Sequence, residues 1–161
     1  MRGVTAGVTL LATALLAGCE ASRLDRQMAD LCKKDGGVKV YETVKAPPGW
    51  LDSSGHPNIK MFPSLDVGGG LSRQMVSDQY MIEGKLQDIK RPLNDKSGFY
   101  TEGRLFRYTT FVLRLSDNKT LGEEVSYWRS GGDLSLGHPS SKTCPDPRPI
   151  PDVIQSVFIK E

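Results

Sequence analysis

The sequence predicts an α+β domain in which one N-terminal amphipathic helix packs on a mainly antiparallel β-sheet, a single domain with long loops. Leu24, Met28, Leu31 and Cys32 recur at steps of four, three and one, the spacing of a helical stripe. Segments 38–44, 104–115 and 120–129 alternate between two sets of residues and are rich in branched and aromatic side chains, as strands are. Between these lie clusters of Gly, Pro and Ser with no periodic pattern. A length of 161 residues, 38% of them hydrophobic and 25% charged, suits one modest core and excludes an elaborate multidomain enzyme. With 21 Lys plus Arg against 19 Asp plus Glu, no charge excess argues for a nucleic-acid partner.

Ser22 can cap the helix, Asp25 stands in its first turn, Lys33 and Lys34 suit the negative end of its dipole, and Gly36-Gly37 supplies the stop. The stripe is narrow, so packing on a sheet is the expectation and contact with lipid the alternative. Val38 to Val44 then reads as a strand, with Val38, Val40, Glu42 and Val44 on one face and Lys39, Tyr41 and Thr43 on the other. From Ala46 to Arg73, Pro47, Pro48, Pro57, Pro63 and the run Gly68-Gly69-Gly70 predict a long irregular excursion, with one brief strand at Asn58 to Phe62. Loops of such length are usually functional or mobile.

Regular structure resumes at Met75 to Ile89, where the alternation is imperfect. Arg104 to Leu115 carries apolar residues on both faces, as a central strand does, and the turn Ser116 to Lys119 returns the chain along Thr120 to Arg129. This is an antiparallel hairpin. Pro139, Pro145, Pro147, Pro149 and Pro151 force an extended, non-helical path through the tail. Val153 to Lys160 reads either as a last strand or as one helical turn leading into a strand. The sheet should hold about four to six strands.

The N-terminus carries a different message. Arg2 is followed by an uncharged run, Val4 to Leu16, in the layout of a secretory signal. That run falls short of the roughly 20 apolar residues needed to span a membrane. It ends in Leu16-Ala17-Gly18-Cys19, which resembles the lipobox of bacterial lipoproteins at all four positions. The resemblance implies a signal peptide at 1–18, acylation of Cys19, an anchor linker at 19–21 and a globular domain at 22–161. Each acyl chain contributes about 0.8 kcal/mol per buried CH₂, so several chains make a stable anchor. The alternative is an ordinary cleaved signal in which Cys19 is incidental. Glu20-Ala21 after the cysteine implies, by the same resemblance, the outer membrane and a periplasmic domain. Inner-membrane retention is the alternative, because Glu20 puts an acidic residue in the sorting position.

With Cys19 acylated, Cys32 and Cys144 remain as an even pair in an oxidising compartment, and a disulfide between them is expected. Two buried free thiols are the alternative.

Chemistry is sparse. His56 and His138 are the only histidines, each beside a proline. Asp133, Ser140 and Ser141 near His138 contain the residue types of a triad, but no Gly-x-Ser-x-Gly elbow accompanies them. No His-Glu-x-x-His or Cys-x-x-Cys spacing suggests a metal, and Gly68-Gly69-Gly70 lacks the following Lys-Ser/Thr of a phosphate loop. No catalytic residue, metal or cofactor is therefore assigned. Cys32-x-x-Asp35-Gly36-Gly37-Val38-Lys39-Val40-Tyr41-Glu42, together with Arg129-Ser130-Gly131-Gly132-Asp133 and Gly137-His138-Pro139 through Cys144-Pro145, resembles a small group of proteobacterial, sometimes prophage-associated, exported proteins of no established activity. That resemblance transfers no catalytic residue. Its glycines fit an architectural role, while Tyr127, Trp128, Arg129 and His138 are candidate anchors of a recognition surface.

The expectation is a membrane-anchored, non-catalytic envelope lipoprotein that binds or assists another envelope protein. One alternative is a superinfection-exclusion lipoprotein of prophage type acting on a phage component. The other is a cell-wall-active enzyme or inhibitor drawing on His138, Ser140 and Asp133.

Overall fold

A computed structural model describes residues 20–57, 65–91, 102–133, 139–148 and 151–160. Residues 20–35 form helix α1. The strands that follow are β1 (Gly37–Val40), β2 (Val44–Lys45), β3 (Leu65–Gly68), β4 (Leu71–Met75), β5 (Tyr80–Lys90), β6 (Arg104–Arg114), β7 (Lys119–Ser130) and β8 (Ser141–Cys144), and the chain ends in helix α2 (Val153–Val157) and β9 (Phe158–Ile159). The segments with the clearest alternation make the centre. β6 and β7 pair antiparallel through a turn in which Asn118 takes a positive φ of 53°, a conformation asparagine tolerates. Around them a seven-stranded sheet runs β1-β7-β6-β5-β4-β3, and β8 pairs with β7 beyond β1. The outer edge of β7 is thus shared by two short strands, β1 against Gly122 to Val125 and β8 against Tyr127 to Ser130. Every pairing in this sheet is antiparallel. A separate parallel pair joins β2 to β9. The fold is a single mixed domain.

Two expectations change. The stretch 46–73 is not one irregular excursion, because Leu65–Gly68 and Leu71–Met75 form a hairpin around the triple glycine. Gly68, Gly69 and Gly70 have φ of 83°, 63° and 77°, so the run serves as a turn only glycine makes cheaply. The brief strand expected at 58–62 lies outside the described residues. Among the described residues the main sheet has seven strands rather than four to six, since strands of four residues such as β3 and β8 are too short to show a period. Of the two readings for 153–160, a helical turn leading into a strand is the one observed.

Alternation on the central strands sends the core to both faces of the sheet. On one face Leu24, Met28 and Cys32 of α1 are buried with Leu105, Val125 and Tyr127. On the other, Val153 and Val157 of α2 are buried with Ile82, Val112, Leu121, Val76, Phe158 and Trp50. Phe158 takes the rings of Trp50 and Tyr80 edge-on, at centroid distances of 6.0 and 5.5 Å. Gly122 lets α2 approach, because a Cβ there would lie 2.7 Å from Val157 Cγ2 and 2.9 Å from Val153 Cγ2. Cys32 and Cys144 are joined in a disulfide, Cα atoms 6.0 Å apart, that ties the last turn of α1 to β8 across 112 residues of sequence. Among the described residues no helix is long and apolar enough to cross a membrane.

Candidate binding surfaces

Period-two alternation along β7 decides where its candidate residues go. Tyr127 and Arg129 face α1 and are buried, with 3% and 5% exposure. Trp128 lies between them on the opposite face and is 51% exposed. The three were grouped by sequence adjacency, and the sheet separates them.

The Tyr127 hydroxyl donates to Asp35 Oδ1 at 2.7 Å, and Arg107 Nη2 donates to the other oxygen of that carboxylate at 2.8 Å. Burial, reinforced by the Asp35 carboxylate, holds the Tyr127 phenol above its ordinary pKa. Arg129 is more deeply committed. Its Nε donates to Asp25 Oδ1 at 2.8 Å, and its Nη1 to the carbonyls of Gly131 and Ser140 at 3.0 Å each and to Ser140 Oγ at 2.5 Å. One guanidinium therefore joins α1, the end of β7 and the approach to β8. The triad letters are used in the same region for structure: Asp133 Oδ1 accepts from the Ser140 backbone N–H at 3.4 Å. His138 and Cys19 lie outside the described residues. His56 sits in an exposed turn whose backbone N–H groups at 54 and 56 donate to Asp52 Oδ1, and these hold the Asp52 carboxyl below the ordinary value.

Trp128 has aromatic company on its own face. The Phe106 ring lies 6.2 Å from it, and the Arg104 guanidinium stands 4.8 Å over the Phe106 centroid. Farther along this face the sheet and α2 enclose a cleft of about 580 Å³. Its floor includes Ser72, Gln74, Ile82, Gly84, Tyr108 and Thr110, and α2 with Arg148 makes a wall. A Cβ at Gly84 would meet the Tyr108 hydroxyl and Ser72 Oγ, so the end of the tyrosine side chain reaches over the bare backbone there.

No family model, curated protein or solved structure matches this chain.

The polar groups around the cleft are only partly used. The Asp152 carboxylate accepts from Gln155 N at 2.9 Å while Gln155 Oε1 accepts from Asp152 N at 3.3 Å, a reciprocal cap that starts α2. Glu124 Oε2 accepts from Val153 N at 3.2 Å and moors that helix to β7. Arg148, exposed on the rim, makes no ion pair with the described residues. The cleft thus offers a guanidinium, hydroxyls and amides beside apolar walls, the composition of a recognition site. No local pattern in the sequence marks this cleft. Asp152-x-x-Gln155 before an apolar run was a signal for the helix, but nothing local places Arg148 or Tyr108 beside it. A shallower recess on the α1 side is lined by Met81, Phe111, Leu113 and the Arg73–Glu83 ion pair.

Proposed function

We propose that this protein is a non-catalytic module tethered to the cell envelope through lipid on Cys19, where it holds another envelope protein. The cleft beside α2 carries the proposal: it is open and its lining mixes apolar side chains such as Ile82 and Ile154 with the polar Ser72, Tyr108 and Arg148. In this reading α1 is the amphipathic helix that couples the anchor to the sheet, and it follows Cys19 directly. The disulfide and the Arg129–Asp25 pair then hold that helix in place when the partner pulls against the anchor. The lipobox supports the tether, and Glu20-Ala21 after it favours the outer membrane facing the periplasm, with inner-membrane retention as the alternative. Arg148 favours a partner that presents a carboxylate or backbone carbonyls at the cleft.

A photocrosslinking residue at Ile154 or Ser72, in cells, tests this. One envelope protein should be captured from the cleft positions, be lost with Cys19→Ser, and be captured several-fold less with Arg148→Glu. A correctly localised, disulfide-bonded protein that captures nothing from either position would overturn envelope-protein binding. Comparing phage plating with and without expression would then test an external ligand.

A further inference from the structure

We infer that the end of the sheet that holds Glu20 and Ala21 is a membrane-contact surface, with Trp128 lying at the headgroup level of the bilayer; this rests on the lipid-anchor reading above. Glu20 and Ala21, expected as part of an anchor linker, already lie in helix α1, and consecutive Cα atoms are about 3.8 Å apart, so a lipid-bearing Cys19 is one residue step from the folded domain.

Residues 20 and 21 of α1 are fixed to the sheet. Ala21 N donates to the Gly132 carbonyl at 3.0 Å, and Lys90 Nζ at the end of β5 is paired with the Glu20 carboxylate. A Cβ on Gly132 would lie 3.2 Å from Ala21 N and from the Gly103 Cα, so three chain segments meet there with no room for side chains. The acyl chains would therefore draw this particular end of the domain, the ends of β5 and β7 and the start of β6, against the lipid.

What that end displays suits a bilayer interface. Trp128 stands two residues from the end of β7, about 7 Å at the rise of a strand. It is 51% exposed beside Phe106, and Ile89 near the end of β5 is 41% exposed. Cations stand beside them: Arg91, whose side chain is 67% exposed although it bonds Asp88, and Arg104, which stands above the Phe106 ring and 3.9 Å from Asp88. Amphipathic indole rings sit at headgroup level, and exposed Arg and Lys side chains beside them reach lipid phosphates. Facing water, this end leaves the Trp128 indole half exposed. Facing lipid, it sets the tilt of the domain, and the cleft beside α2 lies toward the opposite end of the strands.

The two tryptophans make the test. Trp50 is fully buried in the core formed with α2, and Trp128 is at the proposed contact. Purified lipidated protein would be reconstituted into phosphatidylethanolamine–phosphatidylglycerol vesicles containing a lipid brominated near the headgroup, and its fluorescence compared with Trp128→Phe. Bromolipid should quench the wild type and leave Trp128→Phe, which retains Trp50, nearly unchanged. A flexible Gly/Ser insertion of about ten residues between Cys19 and Glu20, spanning about 17 Å, should cut the quenching by about half or more while flotation with vesicles is retained. Flotation with a lipid-bearing Cys19 peptide but no quenching of Trp128 would overturn the contact surface and leave the anchor standing. Quenching unaffected by the insertion would overturn the rigid coupling of anchor to fold. A Cys19 peptide without lipid mass would overturn the anchor itself, and the contact surface with it.

Discussion

Replacing Arg129 with alanine removes the guanidinium that meets Asp25, Gly131 and Ser140, and leaves a partly buried carboxylate without its main partner. Losing one side of such a pair is expensive, so Arg129→Ala is expected to cost about 3 kcal/mol in urea unfolding. Trp128→Phe, one position away on the exposed face, should stay within about 0.5 kcal/mol. The contrast checks the separation of neighbours by the sheet, because a cluster of exposed anchors would give small effects at both. Gly122 offers a purely steric test. A methyl group there meets both valines of α2 under 3.0 Å, so Gly122→Ala should destabilise by about 1–3 kcal/mol. None of this was legible from residue types: Tyr-Trp-Arg in a row reads as a recognition cluster until the pleat sends two of them inward and joins each to an acid of α1.

At the scale of elements, α2 is one turn long and depends on its start. Asp152→Ala deletes half of the reciprocal cap and should cost about 1 kcal/mol, with faster hydrogen exchange confined to residues 153–159. The turn between β6 and β7 has its own electrostatic clasp. Glu42, after β1, accepts from Lys119 Nζ at 2.8 Å and from Arg114 Nη1 at 2.6 Å, while Arg114 also reaches Asp117. These partners, Lys119 first, hold the Glu42 carboxyl below its ordinary 4.5. Because its folded value lies below the unfolded one, its contribution is complete above pH 4.5 and fades as pH falls through the folded value. Thermal unfolding of the wild type should therefore lose stability below that pH, and Glu42→Gln should make this acid limb shallower. Long strands and the helical stripe of α1 were readable because period-two and period-3.6 patterns need only local sequence. Strands β3 and β8 were not, since four residues hold no period, and the one strand expected over 38–44 divides into β1 on β7 and β2 on β9, because each takes an open edge on a different neighbour.

For the whole molecule, the disulfide matters most. Closing 112 residues of chain limits the unfolded ensemble, and reduction is expected to lower stability by about 4–5 kcal/mol in the chain-entropy model. Urea midpoints with and without a thiol reductant would measure it, with Cys32→Ala/Cys144→Ala matching the reduced protein. The sequence by itself determined the α+β class, the central hairpin, the pairing of the two remaining cysteines and an expectation of export, because each is written in local period, short motif or residue count. The tertiary structure alone decided that Tyr127 and Arg129 are internal braces, that Trp128 stands apart from them, and that Arg148, Tyr108 and Gln155 share a cleft. Those facts depend on which strands pair and on which face each helix covers, and strand pairing is a property of residues distant in sequence, set by burial on both faces of the sheet rather than by any neighbourhood along the chain.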